Sequence, residues 1–175
     1  MKLYHGTNKG CFDTLQLKGD RENLAEGRGI YMTDTLNVAK DYGCYIHHIE
    51  VNDSHISDFT NKQYIEKTIL KTLKAISFED IYYDIDMTSI IEDILYGTGS
   101  ILNIGREIGL QLSSYENLTN KYEDVLFNID TIINNEITNH LKDVIKYKSK
   151  GIDGIVYLCF KNPKVVKVTK ITEIS

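Results

Sequence analysis

The chain has 175 residues, of which 42% are hydrophobic and 26% charged, and its formal net charge is −5. This balance is typical of a folded globular protein, and one proline with twelve glycines excludes collagen-like and low-complexity classes. The length predicts a single domain over 1–175. Neither an apolar leader nor a run of about 18 apolar residues is present, so we expect a cytoplasmic protein that does not cross a membrane.

The charge distribution and the cysteine content narrow the possible binding partners and site types. Seven lysines and one acid lie between Lys146 and Lys170, so the rest of the chain is strongly acidic. An acidic bulk disfavours general nucleic-acid binding, and we expect a protein target in preference to a nucleic acid. The basic end could contact phosphates or an acidic partner, or it could be a solvated lysine edge of a sheet. Three cysteines without a Cys-x-x-Cys pair indicate reduced thiols, and no metal site is predicted.

Hydrophobic periodicity places strands at both ends of the chain and helices in the middle. Strands are predicted over 1–5, 27–33, 44–51, 152–160 and 165–171. A short helix over 36–42 follows the second strand, with Asp34 or Thr35 as its N-cap. Further helices are predicted over 61–76 and 86–97. The apolar stripe over 118–145 predicts one long helix, or two broken near Asn134-Asn135, with Gly151 as a helix stop. The fold class is therefore α+β.

Two short motifs in the first quarter carry candidate chemistry. The first is His5-Gly6-Thr7 on the opening strand. The second is the glycine-flanked strand Gly27-Arg28-Gly29-Ile30-Tyr31, followed eleven residues later by Tyr42 at the end of a helix. Two tyrosines on separate elements can clamp a flat heterocycle between their faces.

These motifs resemble the ADP-ribosyltransferases of the diphtheria-toxin and poly(ADP-ribose) polymerase type. The resemblance implies a split β-sheet, with 61–147 as a helical insertion between the third and the last two strands. It implies NAD as the substrate, with the nicotinamide ring held by Tyr31 and Tyr42 and its carboxamide by the main chain of Gly6. His5 would bind the adenosine ribose, assisted by Thr7. Gly29 allows a close approach of the cofactor, and Arg28 could approach the pyrophosphate.

The sequence departs from this family at its third motif, which is usually a glutamate. The aligned position is Val156, or Tyr157 with a gap, and neither is acidic. Asp153 and Glu50 are the candidate replacements. Without the glutamate, family members transfer single ADP-ribose units or are inactive.

Three functions stay open from the sequence. The first is a mono-ADP-ribosyltransferase acting on a host or target macromolecule, as a toxin or phage effector. The second is a catalytically inactive scaffold of the same fold that acts as a protein-binding inhibitor. The third is another use of the same pocket, such as NAD hydrolysis or nucleotide binding.

Overall fold

A computed structural model describes residues 1–8 and 29–174. It confirms the α+β class. In the described ranges, strands β1 to β7 are Lys2–Thr7, Ile30–Thr33, Tyr45–Glu50, Ile56–Asp58, Val144–Tyr147, Val156–Cys159 and Lys167–Glu173. Helices α1 to α8 are Leu36–Lys40, Lys62–Ala75, Ile81–Asp84, Met87–Tyr96, Ile104–Ser113, Glu116–Lys121, Glu123–Leu126 and Ile129–His140.

The chain divides into two compact units, which are described separately. The sheet unit comprises Met1–Asp58 and Lys142–Ser175, and the helical unit comprises Phe59–Leu141. The predicted helices over 61–76 and 86–97 are confirmed as α2 and α4, and both belong to the helical unit. The assignment of 1–175 to a single domain stays a prediction.

The strands form one sheet in the order β4-β5-β6-β2-β1-β3-β7. All described pairs are antiparallel except β4 with β5, which is parallel. The core on one face of the sheet is apolar. Its buried members are Leu3, Ile30, Met32, Ile49, Val51, Ile56, Val144, Tyr157, Cys159 and Val166. Strand alternation therefore assigns Leu3, His5 and Thr7 to this core face, and Tyr4 and Gly6 to the opposite face.

In the helical unit, α5 and α8 approach closely at a glycine. A Cβ on Gly105 would lie 2.4 Å from the carbonyl oxygen of Asp130. The Gly105 amide donates to Oδ1 of Asn134 over 2.8 Å. Isoleucines one turn apart, such as Ile133 and Ile137, are buried along α8. These contacts fix the α5–α8 pair.

The prediction for 118–145 was wrong in its boundaries. The stretch contains α6, α7 and α8, with breaks at Tyr122 and before Ile129, while Asn134-Asn135 lies inside α8. Val144 and Ile145 belong to β5, which lies between β4 and β6 in the sheet. The prediction failed here because a strand inside a sheet has an apolar run that resembles part of a helical stripe. Gly151 is therefore not a helix stop. It lies in the loop between β5 and β6 with φ +82°.

Candidate functional site

The sheet opens between its two central strands, β1 and β2. Among the described residues, their ladder consists of one pair, Tyr4 with Thr33. By contrast, β1 pairs with β3 along all six of its residues. Strand β2 pairs with β6 along all four of its residues. Beyond Tyr4 and Thr33, β1 is paired with β3 and β2 is paired with β6, but within the described residues β1 and β2 do not pair with each other. We call the resulting opening between β1 and β2 the notch.

His5 lies in this notch. Its Nδ1 is 2.7 Å from the carbonyl oxygen of Tyr31. A carbonyl oxygen only accepts hydrogen bonds, so Nδ1 carries the proton, and Nε2 of the neutral ring is left as an acceptor. The imidazole thus takes the acceptor that a β1–β2 ladder would have used. His47, directly opposite on β3, is fully buried, and its ring centroid is 5.8 Å from that of His5.

The surroundings of His5 favour its neutral form. Burial lowers the pKa of its imidazole below 6.5, the hydrogen bond to the Tyr31 carbonyl opposes this, and the neighbouring His47 lowers the pKa further. A neutral histidine with a free Nε2 can accept a hydrogen bond from a hydroxyl group. The ring is therefore suited to a ribose hydroxyl, and not to a phosphate.

The main chain of Gly6 faces the notch. Met1 and Val51 exchange two hydrogen bonds, of 2.8 and 3.2 Å, which sets the alternation of the β1–β3 ladder. By that alternation the amide and carbonyl of His5 point towards β3, and those of Gly6 point towards β2. The ladder with β2 does not extend to Gly6. Its amide and carbonyl are therefore placed to bind a carboxamide.

Gly6 is also the point where α1 packs on the sheet. A Cβ at this position would lie 1.8 Å from the carbonyl oxygen of Ala39 and 3.3 Å from Cβ of Tyr42. A side chain on residue 6 would displace the helix. The glycine thus brings Tyr42 next to the notch, and 58% of the Tyr42 side chain is exposed.

Tyr31 projects from the same sheet face as Gly6. Its neighbour Met32 is a member of the core, so alternation directs Tyr31 to the other face. Gly6 and Tyr31 therefore lie on the same sheet face, and Tyr42 packs near Gly6 on that face. The His5 ring reaches the notch from the core face.

The other predicted binding residues have packing roles in the structure. Thr7 pairs with Tyr45, and a Cβ on Gly43 would lie 2.1 Å from the carbonyl carbon of Thr7. A Cβ on Gly29 would lie 2.3 Å from Cδ1 of Leu158, so this glycine lets β2 approach β6. Arg28 lies outside the described residues.

The two candidate acids lie away from the notch. Glu50 pairs with Lys2 on one side and Lys167 on the other. It is four positions along the ladder from Gly6, about 13 Å at the rise of a strand. Asp153 is exposed in the loop before β6, next to Gly154 at φ +96°. The register places Val156 and Leu158 on the Tyr31 face and Tyr157 on the core face, where burial raises its pKa to about 12.

Of the two predicted N-caps of α1, Thr35 occupies the position and Asp34 does not. The Thr35 side chain makes no capping bond. Asp34 Oδ1 instead accepts from the Ile155 amide over 3.2 Å. The same carboxylate accepts from Thr35 Oγ1 over 3.1 Å. Asp34 thus anchors the loop before β6, a role that depends on a partner 121 residues away.

Known proteins show little similarity to this chain. No family model and no curated protein matches the chain. One solved structure, the crystal structure of an anti-CRISPR protein, is similar at 13% identity with a TM-score of 0.44, over 99% of this chain and 95% of that chain. At that TM-score the likeness supports no conclusion about function. Among the described helices, none is long and apolar enough to cross a membrane.

Proposed function

We propose that the notch between β1 and β2 binds NAD⁺ and that the protein is a mono-ADP-ribosyltransferase acting on a target protein. The observation that carries the proposal is the hydrogen bond of His5 to the Tyr31 carbonyl beside Gly6, on whose face Tyr31 and Tyr42 also lie. The tyrosines would hold the nicotinamide ring, and the main chain of Gly6 would bind its carboxamide. Nε2 of His5 would accept a hydrogen bond from a ribose hydroxyl.

In this reaction the bond between the nicotinamide nitrogen and the ribose C1′ breaks. The bonding electron pair leaves with nicotinamide, which becomes neutral, and the ribose becomes an oxocarbenium-like cation. A nucleophile of the target bonds to C1′ and loses a proton to solvent. The contribution of this chain is to orient the two parts of NAD⁺ and to shield the cation from water between aromatic faces.

A second candidate is a scaffold that binds NAD⁺ without turnover and acts as a protein-binding inhibitor. One observation favours it. The side chains that β6 directs to the Tyr31 face are those of Val156 and Leu158, both apolar and buried. Neither can orient a ribose hydroxyl or stabilise a cation, and Glu50 and Asp153 lie elsewhere in the sheet unit.

Calorimetric titration with NAD⁺ tests binding. We expect Tyr42→Ala to weaken NAD⁺ binding about fivefold, because a lost aromatic stacking contact is worth ~1 kcal/mol. The matched control is Tyr115→Ala in the helical unit, since Tyr42 and Tyr115 are 58% and 59% exposed. Equal affinities for the wild type and Tyr42→Ala, or no binding at all, would contradict the proposal.

Turnover is measured separately, by incubating the protein with NAD⁺ and a cell lysate. Release of nicotinamide together with an ADP-ribose mass increment on a lysate protein, both lost in His5→Ala and Tyr31→Ala, would establish the transferase. Binding with neither product would establish the scaffold. Nicotinamide release without any mass increment would indicate NAD hydrolysis.

A further inference from the structure

A five-residue pattern recurs three times in the helical unit. Glutamate and aspartate are followed by isoleucine or valine, then by tyrosine or leucine, and then by an aromatic residue. The copies are Glu79–Tyr83, Glu92–Tyr96 and Glu123–Phe127. We call them the acidic–aromatic segments.

The three segments present the same groups to solvent. Both acids of each segment are exposed, while the third residue is buried in the first two segments and half-buried in the third. The last aromatic side chain is 79%, 66% and 84% exposed, at Tyr83, Tyr96 and Phe127 respectively. In a helical turn, residues three and four apart share a face, so each aromatic ring lies beside its two carboxylates. Large exposed aromatic side chains are typical of protein-binding surfaces.

The first and third segments lie side by side. Asp84, which directly follows the first, accepts a hydrogen bond of 2.6 Å from Oη of Tyr122, which directly precedes the third. Lys121 Nζ lies 2.7 Å from Asp84 Oδ2 and 3.9 Å from Asp80 Oδ2. The end of the first segment therefore contacts the start of the third.

The surroundings of the Lys121 side chain indicate which kind of ligand this surface would bind. Its ammonium lies between carboxylates and 5.2 Å from the centroid of the Tyr122 ring. The hydrogen bond to Asp84 raises the pKa of Lys121 above its usual value. Carboxylates and an aromatic face together are a favourable environment for a lysine or arginine head group.

The helical unit has more acids than bases, with thirteen acidic and six basic side chains. The imbalance is greatest after α2, since 76–141 has twelve acids and two basic side chains, Arg106 and Lys121. Within the described residues, neither acid of the third segment, Glu123 or Asp124, has an ion pair or side-chain hydrogen bond. These carboxylates are available to cations supplied from outside.

We propose that the paired first and third acidic–aromatic segments are a docking surface for a lysine- and arginine-rich segment of a protein partner. The occupant follows from charge complementarity, and the exposed rings supply apolar contact and cation–π attraction. The second segment, on α4, offers the same chemistry for a longer partner. This inference does not depend on NAD⁺ binding by the sheet unit.

The test is fluorescence anisotropy with a labelled peptide, Gly-Arg-Gly-Lys repeated four times, at about 150 mM salt, where long-range attraction is screened. A peptide with glutamine at each basic position is the ligand control. We expect the basic peptide to bind and the double variant Tyr83→Ser/Phe127→Ser to weaken binding about tenfold. The matched control is Leu110→Ser/Tyr115→Ser, because both of these side chains are exposed apolar groups of the same unit outside the segments.

A charge-matched comparison separates docking from general attraction. Glu123→Gln/Asp124→Asn and Glu107→Gln/Glu116→Gln change the net charge equally, and only the first pair belongs to a segment. We expect the first to weaken binding at least threefold more than the second, with helical content unchanged by circular dichroism. Equal weakening by the two pairs, equal affinity for both peptides, or no binding of the basic peptide would overturn the proposal.

Discussion

The two units use their polar side chains in opposite ways. The sheet unit has 14 basic and 12 acidic side chains, whereas the helical unit has 6 basic and 13 acidic. In the sheet unit, His5 and Asp34 are each held by a hydrogen bond to a distant backbone group. In the helical unit, the acids of the three acidic–aromatic segments are exposed, and the same pattern recurs.

This contrast predicts which substitutions each unit tolerates. A site built on strand register depends on single positions, because a shift of one residue turns every side chain to the other face. A surface built from repeated exposed groups tolerates the loss of one of them, since its attraction is shared. Substitutions that remove one atom or add one methyl group should therefore act most strongly in the sheet unit.

The largest effect is expected from Gly6→Ala. The new Cβ would lie 1.8 Å from the Ala39 carbonyl oxygen, so α1 must move away from β1. We expect a loss of about 3 kcal/mol in the free energy of unfolding, measured by urea denaturation. Gly151→Ala is the control. Its Cβ would meet nothing within 4 Å, and its positive φ alone should cost about 1 kcal/mol. Equal losses in both variants would mean that α1 does not pack on Gly6.

A smaller effect is expected in the helical unit from Tyr122→Phe, which removes the 2.6 Å hydrogen bond to Asp84. Lys121 still pairs with that carboxylate, so we expect a loss of about 1 kcal/mol. Tyr83→Phe is the matched control, because the Tyr83 side chain is exposed and should lose nothing measurable. An unchanged unfolding midpoint for Tyr122→Phe would show that the bond does not stabilise the contact between α3 and the break between α6 and α7.

The smallest expected effect is a pH dependence of the free energy of unfolding, which arises from His5 in the sheet unit. The pKa of His5 is lowered from 6.5 in the folded protein, chiefly by burial, so the unfolded chain binds a proton first as the pH falls. The stability that His5 contributes is complete above pH 6.5 and is lost as the pH falls below it. We expect the unfolding free energy of the wild type to decrease more steeply from pH 7 to pH 5 than that of His5→Gln. Parallel curves for the two proteins would contradict this assignment.

Local signals in the sequence were enough for two helices, α2 and α4. Asp86 accepts from the Ser89 amide as the N-cap of α4, and Gly97 ends that helix in the left-handed region at φ 79°. Both ends were predicted because a cap depends on neighbours a few residues away. Gly6, Tyr31 and Tyr42 were proposed as binding residues from their order and spacing, and that role stays a prediction; the structure shows that Tyr42 packs near Gly6.

Tertiary structure decided what depends on distant partners. Val144 and Ile145 read as helix from their apolar pattern, yet they pair with Cys159 and Leu158 in the sheet. The β1–β2 notch, the bond from His5 to the Tyr31 carbonyl and the burial of His47 behind it arise from strand pairing. The sequence by itself determined which groups are present and which short segments fold locally. Register and packing alone decided where those groups meet, since hydrogen bonding between strands is set by partners far along the chain.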